Sequence, residues 1–456
     1  MSEPTHWEPT HWRTSAFGVA IGIAMLAAGR SAMSQNAVSL PAHAFPGVIP
    51  MQLLTQPIAD STVNAAQLRR GQSLVIAGDC MSCHLREGGE PFAGGLGLNT
   101  PFGVIYSPNI TSDKETGIGG WTGEQFYRAM HEGIDDEGHN LYPAFPYPWF
   151  RLTSREDTDA MLAFLKSTPA VQYTPPKNEL PFPLNIRLAV KGWNLLYLKS
   201  GEFQSDPKQS AEWNRGAYLV NGLGHCGGCH TPKNRLGADK SQLALQGGSL
   251  DRWVAPDLTG NSRTGLGAWS VDEIAEYLQN GRNARADAGG PMGEVVTLST
   301  SLMSDADRHA IGVYLKSQAA SASVASSAPD EGAMRRGAAI YSDACASCHL
   351  EDGVGQPGIF PPLGHNAALQ QSNPLGLEHL ILAGARIGTS ASHPSPFAMP
   401  SFAWKLDDQE VADVSNYLRN SWGNQAGAVS ASDVAATRKK LNLDTLHLTA
   451  NSGDQN

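Results

Sequence analysis

The chain has 456 residues, of which 41% are hydrophobic and 17% are charged, and its formal net charge is −10. At about 100–200 residues per domain, this length accommodates three or four domains. The acidic balance argues against nucleic acid as a partner, because phosphate backbones are bound by basic surfaces.

The first predicted element is an export signal over residues 1–34. Arg13 precedes an apolar run from Thr14 to Gly29, and the small residues around Ala32-Met33-Ser34 provide a cleavage site. The run is shorter than the about 20 apolar residues of a membrane-spanning helix. This favours a cleaved signal peptide over a retained anchor, and no later stretch of the sequence is long and apolar enough to span a bilayer.

All six cysteines lie in three copies of the pattern C-x-x-C-H. The copies contain Cys80, Cys83 and His84; Cys226, Cys229 and His230; and Cys345, Cys348 and His349. This is the attachment signature of a c-type haem, because two thiols one helical turn apart can add to its two vinyl groups while the histidine binds the iron. A thioredoxin-like dithiol or half a zinc site fits a single copy, but fits three copies with no cysteine left over poorly. The sequence therefore predicts three covalently bound haem c groups.

The three motifs belong to a longer repeat. Its other shared positions are Arg70-Gly71, Arg215-Gly216 and Arg336-Gly337 before the motifs, Pro108-Asn109-Ile110-Thr111 and Pro256-Asp257-Leu258-Thr259 after the first two, and Phe164-Leu165, Tyr314-Leu315 and Tyr417-Leu418 near the ends. Ser154, Ser304 and Asp407 are predicted N-caps of the final helices, since acidic residues follow them. We interpret the Arg-Gly and aromatic-Leu pairs as positions of helix packing.

A leading helix, a haem motif, a middle helix and a closing helix form the layout of a small cytochrome c domain. The predicted fold class is therefore all-α, with three tandem cytochrome c domains. The predicted boundaries are 60–167 for domain 1, 168–210 for a Pro-rich connector, 211–317 for domain 2, 318–332 for a flexible Ala/Ser-rich linker, 333–425 for domain 3 and 426–456 for a polar tail.

The connector contains an apolar and basic stretch from Leu184 to Leu198, with Arg187 and Lys191. Such a stretch can lie on a membrane surface or pack between domains. Packing between domains is the favoured interpretation.

Two methionines are predicted to be the sixth iron ligands of the second and third haems. Met292 lies 62 residues after His230, and Met399 lies 50 residues after His349, each beside Pro and just before the closing helix. Ligation by histidine and methionine raises the potential of the iron and suits electron transfer.

The first repeat lacks this methionine. Phe145 lies 61 residues after His84, and its side chain cannot bind iron. Met130, His131 and His139 are the remaining candidates, although Met130 matches a core position and His139 suits a hydrogen bond to a propionate or a carbonyl. The first haem is therefore expected to be either five-coordinate or ligated by a histidine.

Several longer phrases resemble a known family. They are Ala77-Gly78-Asp79-Cys80, Pro91-Phe92-Ala93-Gly94-Gly95, Thr100-Pro101-Phe102-Gly103-Val104-Ile105-Tyr106, Asn109-Ile110-Thr111 through Gly117-Ile118-Gly119, Glu212-Trp213-Asn214-Arg215-Gly216-Ala217-Tyr218-Leu219 and Gly224-His225-Cys226-Gly227. Over roughly residues 60–425, the chain resembles the triple-haem cytochrome c subunits of membrane-associated bacterial alcohol, gluconate and related sugar or aldehyde dehydrogenases. Phe145 departs from the family pattern Leu-Tyr-Pro-Ala-Met-Pro-Tyr, so the ligand of the first haem does not carry over.

The resemblance implies an electron-transfer subunit. A separate periplasmic catalytic subunit of flavin, pyrroloquinoline quinone or molybdopterin type would oxidise an alcohol, polyol, sugar acid or aldehyde. The haems would then pass single electrons to membrane ubiquinone. The mature chain is expected on the periplasmic side of the bacterial inner membrane, in contact with the membrane surface.

Two alternative functions stay open. An open first haem, suggested by Phe145, would suit a self-contained enzyme of peroxidase type, and a free periplasmic electron carrier would need no fixed partner. The sequence has no triad or paired carboxylates in a supporting context, so no catalytic side chain is assigned.

Overall fold

The structure is a computed structural model that describes residues 48–250, 252–322 and 327–443, with side chains from residue 52 onward. The predicted signal peptide lies outside these residues. The described chain is mainly helical, in agreement with the prediction. Three two-stranded antiparallel sheets add strands that an all-α fold would lack.

The helices of these residues are α1 (Val48–Thr55), α2 (Ala65–Ala77), α3 (Cys80–His84), α4 (Gly123–Glu132), α5 (Tyr147–Phe150), α6 (Arg155–Ser167), α7 (Leu188–Tyr197), α8 (Ala211–Tyr218), α9 (Gly227–His230), α10 (Val271–Asn280), α11 (Pro291–Leu298), α12 (Asp305–Lys316), α13 (Glu331–Ala344), α14 (Ala346–His349), α15 (Leu375–Ala383), α16 (Asp408–Asn420) and α17 (Ala431–Lys440). The strands are β1 (Gly97–Thr100), β2 (Gly103–Tyr106), β3 (Gln246–Leu250), β4 (Trp253–Asp257), β5 (Ala385–Arg386) and β6 (Ala398–Met399). Each strand pairs with its neighbour in sequence: β1 with β2, β3 with β4, and β5 with β6.

The closing helices α6, α12 and α16 begin at the predicted caps. The side chains of Ser154, Ser304 and Asp407 each accept a hydrogen bond from the backbone N–H three residues later, at 3.2, 3.1 and 2.8 Å. These bonds satisfy N–H groups that have no partner inside the helix. The cap prediction is confirmed.

The leading helix of each repeat crosses its closing helix at a glycine: α2 crosses α6, α8 crosses α12, and α13 crosses α16. The contacts are Gly71 against the carbonyl of Ala160, Gly216 against that of Ala310, and Gly337 against that of Asp413. A Cβ at any of these glycines would overlap the carbonyl oxygen opposite, and it would lie 2.8 Å from the Cβ of the aromatic residue that recurs in each repeat, Phe164, Tyr314 or Tyr417. Only glycine therefore lets the two backbones approach this closely.

The arginine before each glycine forms an ion pair across the same helix crossing. The ion pairs are Arg70 with Asp157, Arg215 with Asp307, and Arg336 with Asp413, with Nε to carboxylate distances of 2.7, 2.7 and 2.6 Å. In the third repeat, Asp413 supplies both the carboxylate and the backbone carbonyl that faces the glycine. The Arg-Gly pairs thus serve helix packing, as the sequence predicted.

The first two repeats share one hydrophobic core, whereas the third has its own. Leu74 and Met161 from the first repeat and Leu219 and Ile311 from the second belong to a single buried cluster. A separate cluster contains Leu382 of the third repeat and extends into α17.

Helix α17 corrects the prediction of a polar tail after residue 425. Val434 is fully buried, Leu441 is also buried, and the Arg438 Nε donates to Asp408 Oδ1 at 2.7 Å. The spacing of seven residues places Val434 and Leu441 on one helical face. The packed third unit therefore continues to at least Leu443.

The start of the predicted linker is attached to the second repeat. The Ser321 hydroxyl donates to Asp257 Oδ2 at 2.5 Å, and the Asn261 side chain donates to the Ser321 carbonyl at 3.2 Å. Residues 323–326 lie outside the described ranges.

Helix α7 of the connector packs through one face only. Val190 is buried, Trp193 Nε1 donates to the carbonyl of Leu236 at 2.9 Å, and Asn194 accepts from the Tyr147 hydroxyl at 2.5 Å. The opposite face is exposed, with Leu188 at 70% and Leu195 at 87% of full exposure. The favoured interpretation of this stretch was packing between domains. It holds for one face of α7, whereas the opposite face is exposed. Within the described ranges, no helix combines the length and apolar character of a membrane span.

Candidate haem sites

Each C-x-x-C-H motif forms a short helical turn close to the end of its leading helix. In the first motif, Asp79 takes a left-handed conformation with φ of 51° between α2 and α3, and it accepts a hydrogen bond from the Ser82 hydroxyl at 2.6 Å. In the second, His225 precedes the first cysteine with a φ of 35°. Residues three apart on such a turn share a face, so the two thiols of each motif can bind one group.

The three motif histidines have the same hydrogen-bond partner, a proline carbonyl. The Nδ1 to oxygen distances are 2.7 Å for His84 and Pro108, 2.7 Å for His230 and Pro256, and 3.1 Å for His349 and Pro361. A carbonyl only accepts, so Nδ1 carries the hydrogen and donates it. Nε2 is left with a free lone pair directed away from this bond, which is the arrangement of a metal-binding histidine whose second nitrogen is held by an outer partner.

Sequence reasoning did not identify the three prolines. Pro108 and Pro256 head the matching segments that follow the first two motifs, and this repetition could have revealed them. Pro361 follows its histidine by only 12 residues and has no such segment around it.

The surroundings of the motifs disfavour charge. Burial lowers the pKa of His84 to about 4, and it also lowers the pKa of His230 and of His349. Burial raises the pKa of the Cys80 and Cys226 thiols to about 12. A neutral imidazole beside uncharged sulfur suits an apolar porphyrin joined by thioethers. The residues present therefore fit haem c.

Met292 and Met399 each pack against a hydrophobic core that also contacts motif cysteines. Met292 is the second residue of α11, after Pro291, and lies half-buried against the core that also contacts Cys80 and Cys226. Met399 lies in β6, half-buried against the core that also contacts Cys345. The core beside Met292 contacts both the first and the second motif, whereas the core beside Met399 contacts the third. Ligation of iron by either methionine stays a prediction.

Phe145 is half-buried against the first core in an aromatic group. Its ring centroid lies 5.6 Å from that of Phe150 and 6.2 Å from that of Tyr147.

The other candidates for the first iron have different partners. Met130 is almost fully buried in the core. His131 is stacked on Tyr127 with ring centroids 3.8 Å apart, and its Nε2 lies 3.4 Å from the Thr153 hydroxyl. Burial lowers the pKa of His131 to about 4. His139 is exposed, and its Nδ1 lies 3.3 Å from Glu137.

The first two repeats pack reciprocally around their motifs. Trp149 of the first repeat lies against Gly227 in the second motif, and the Lys233 Nζ lies 4.8 Å from the centre of its indole ring. In return, α11 of the second repeat contacts α3, and the Ser299 hydroxyl donates to the Ile76 carbonyl at 2.6 Å. Each repeat therefore helps to enclose the motif of the other.

The third repeat joins the loop that carries Met292. Gly289 forms a β-bridge with Ile387, and the Gly290 N–H donates to the Arg386 carbonyl at 3.3 Å. Arg386 lies in β5, which pairs with the strand containing Met399. The segments before the two methionines are thus linked by backbone hydrogen bonds.

Comparison with known proteins identifies this architecture. A family model described as Cytochrome c matches residues 68–169 and 334–422. Together with the motif histidines and their proline partners, the match defines a c-type cytochrome, a class that holds haem c covalently through C-x-x-C-H cysteines.

Related proteins place the chain within this class. It is 40% identical to the gluconate 2-dehydrogenase cytochrome c subunit of Pantoea cypripedii, over 84% of this chain and 92% of the relative. It is 39% identical to the cytochrome c subunit of the quinone-type alcohol dehydrogenase of Gluconobacter oxydans, over 82% of each chain. It is also 35% identical to the fructose dehydrogenase cytochrome subunit of Gluconobacter japonicus, over 84% of this chain and 85% of the relative. The chain belongs to the family of cytochrome c subunits of bacterial dehydrogenases.

Proposed function

We propose that the chain carries three haem c groups, one in each of three tandem cytochrome c domains with boundaries near 60–167, 211–317 and 333–425, the last extended by α17 to at least Leu443. Its cysteine pairs would hold the three groups, and His84, His230 and His349 would bind the irons. Met292 and Met399 would complete the second and third sites. The observation that carries this proposal is the proline carbonyl that holds Nδ1 of all three histidines.

The proposed function is electron transfer between a dehydrogenase subunit and membrane ubiquinone. Haem c supplies reversible one-electron chemistry, and the protein contributes thioether attachment, an oriented histidine and an apolar surrounding. The names of the relatives include gluconate, alcohol and fructose dehydrogenases, so the substrate differs within the family, and the partner cofactor is flavin, pyrroloquinoline quinone or molybdopterin. The mature chain would act on the periplasmic side of the inner membrane after removal of residues 1–34.

The test begins with gentle purification of the chain from native membranes, followed by mass spectrometry and cofactor analysis. We expect a stoichiometric dehydrogenase subunit, reduction of the haems by its substrate, and reoxidation by a ubiquinone analogue. A chain that purifies alone and turns over peroxide would contradict the proposal and support the self-contained enzyme. A chain that purifies alone without turnover would support the free carrier.

Removing one cysteine pair tests the haem count. We expect Cys226→Ala with Cys229→Ala to lower the haem content measured as the pyridine haemochrome by one third per chain. The equivalent change of Cys345 and Cys348 should remove another third. The loss of all haem in a folded variant, or of none, would contradict independent attachment at three sites.

We further propose that α7 lies on the membrane surface. Leu188, Leu195 and Leu196 are spaced so that they share one exposed helical face, and Phe182 nearby is 77% exposed. Exposed Lys191 lies on the same side. An apolar face flanked by basic side chains suits an anionic lipid surface, and it stands out in a chain with a net charge of −10.

The membrane surface is tested by flotation with phosphatidylglycerol vesicles. Burial of a leucine side chain contributes about 1.5–3 kcal/mol, so we expect Leu195→Ser with Leu196→Ser to weaken binding by at least about tenfold. Val63→Ser is the control, because Val63 is 81% exposed at a different place. A double variant that binds vesicles normally but loses the dehydrogenase partner would show that this face docks protein instead.

A further inference from the structure

The loop that presents Met292 has a defined register. Helix α10 ends at Asn280, and the next residue, Gly281, takes a left-handed conformation with φ of 69°. The Ala288 N–H then returns to donate to the Gly281 carbonyl at 2.7 Å. Met292 follows Ala288 by four residues.

The first repeat contains an equivalent loop, which is one residue longer. Helix α4 ends at Glu132, and the next residue, Gly133, is also left-handed with φ of 65°. The Leu141 N–H donates to the Gly133 carbonyl at 2.7 Å. Phe145 follows Leu141 by four residues. In both loops, the residue of interest follows the residue that closes the loop by four positions. Phe145 therefore occupies the position that Met292 holds in the second repeat.

The loop of Phe145 offers no replacement for the methionine sulfur. Both tyrosine hydroxyls of this loop already form hydrogen bonds. The Tyr142 hydroxyl donates to the Leu184 carbonyl at 3.0 Å, and the Tyr147 hydroxyl donates to Asn194 Oδ1 at 2.5 Å. His139 at the tip of the loop is directed to Glu137. The His131 ring stacks on Tyr127, and its Nε2 lies next to the Thr153 hydroxyl.

The surroundings of Phe145 are apolar and aromatic. Phe150 contacts the Phe145 ring on one side and the ring of His225 on the other, with centroids 5.5 Å apart in an edge-on arrangement. A phenyl ring can neither bind iron nor donate a hydrogen bond. Phe145 therefore offers no hydrogen bond to a bound anion, and its apolar side favours a small neutral ligand.

We propose that the first haem site, unlike the other two, has no sixth protein ligand and binds a small neutral molecule of the carbon monoxide type. The inference rests on the proposed function, because it requires haem at Cys80, Cys83 and His84. Phe145 determines this difference. It gives the first haem site an apolar distal side, whereas Met292 and Met399 would supply sulfur at the second and third sites. The first site is therefore a ligand-binding site within an electron-transfer chain.

The test is carbon monoxide titration of the reduced full-length protein, with the haem content of every sample measured as pyridine haemochrome. We expect one carbon monoxide per three haems in the wild type, and a high-spin ferric signal from one third of the haem in electron paramagnetic resonance. Phe145→Met should abolish both. Met292→Phe should raise binding to two per three haems, and Phe145→Leu should retain one.

Three haems that are all low-spin and unreactive to carbon monoxide would overturn the inference and leave the proposed function intact. Binding that emerges only in His139→Ala or His131→Ala would also overturn it, because it would identify a histidine ligand. Fewer than three haems in the wild type would contradict the proposed function instead. The Phe145→Met and Met292→Phe pair separates ligation from folding, since the two variants exchange the same side chains and should act in opposite directions.

Discussion

Gly216→Ala is expected to destabilise the chain strongly. The added methyl group would overlap the carbonyl oxygen of Ala310 and lie 2.8 Å from Tyr314 Cβ. Backbone cannot move aside as a flexible side chain can, so α8 and α12 would have to separate. Forcing extra volume into a packed core costs about 1–3 kcal/mol, and a clash with backbone belongs at the upper end. Thermal unfolding followed by circular dichroism measures the effect.

The matched control is Gly192→Ala in α7. Gly192 also lies inside a helix, but a Cβ there would have no neighbour within 4 Å. Alanine is a better helix former by about 1 kcal/mol, so this variant should be as stable as the wild type or slightly more so. Equal unfolding temperatures for the two variants would show that the close crossing at Gly216 contributes little.

Arg419→Met is expected to be similarly damaging. Arg419 is only 1% exposed, and its guanidinium donates to the buried carbonyls of Leu369 at 2.8 Å and Gln371 at 3.0 Å. Burial lowers its pKa to about 10, opposed by the nearby Glu378. Methionine fills similar space but leaves these two acceptors unpaired at about 1–3 kcal/mol each, so a loss of at least about 2 kcal/mol should appear in denaturant unfolding.

Arg335→Met controls for the loss of an arginine. Its side chain is 74% exposed, and it forms a 3.6 Å ion pair with Glu331, which is also exposed, so no measurable change is expected. The Gln371 side chain also accepts from the Asp257 N–H at 3.4 Å, next to the proline that orients His230. Unfolding of Arg419→Met at the wild-type midpoint would refute a structural role for these bonds.

The elements with local chemical signals could be predicted from the sequence. Ser154, Ser304 and Asp407 are short polar residues before acidic turns, and a cap needs nothing beyond its own helix. The glycine of each Arg-Gly pair was interpreted correctly as a packing position because its partner aromatic recurs in every repeat. The three C-x-x-C-H motifs likewise carry their chemistry within a few residues.

The features that the sequence did not reveal depend on distant partners. The exposed face of α7 has a composition that suits either packing or a membrane, and only the position of Trp193 against Leu236 decides which side faces inward. Helix α17 contains few apolar residues, and its burial follows from contact with α15 and α16. Nor does any local pattern link Trp149 to the second motif.

The reciprocal packing of the first two repeats imposes an order on the maturation of the protein. The Ser299 hydroxyl and the Ile76 carbonyl are separated by 223 residues, so the enclosure of the first motif must wait until most of the second repeat is available to fold. Contacts of such long sequence separation form late. The thiolate is the reactive form of cysteine, and burial raises the pKa of the Cys80 thiol to about 12. Because this long-range contact forms late, the thiols of the first motif are still exposed while haem is being attached. Exposed thiols ionise more readily than buried ones and are therefore more reactive.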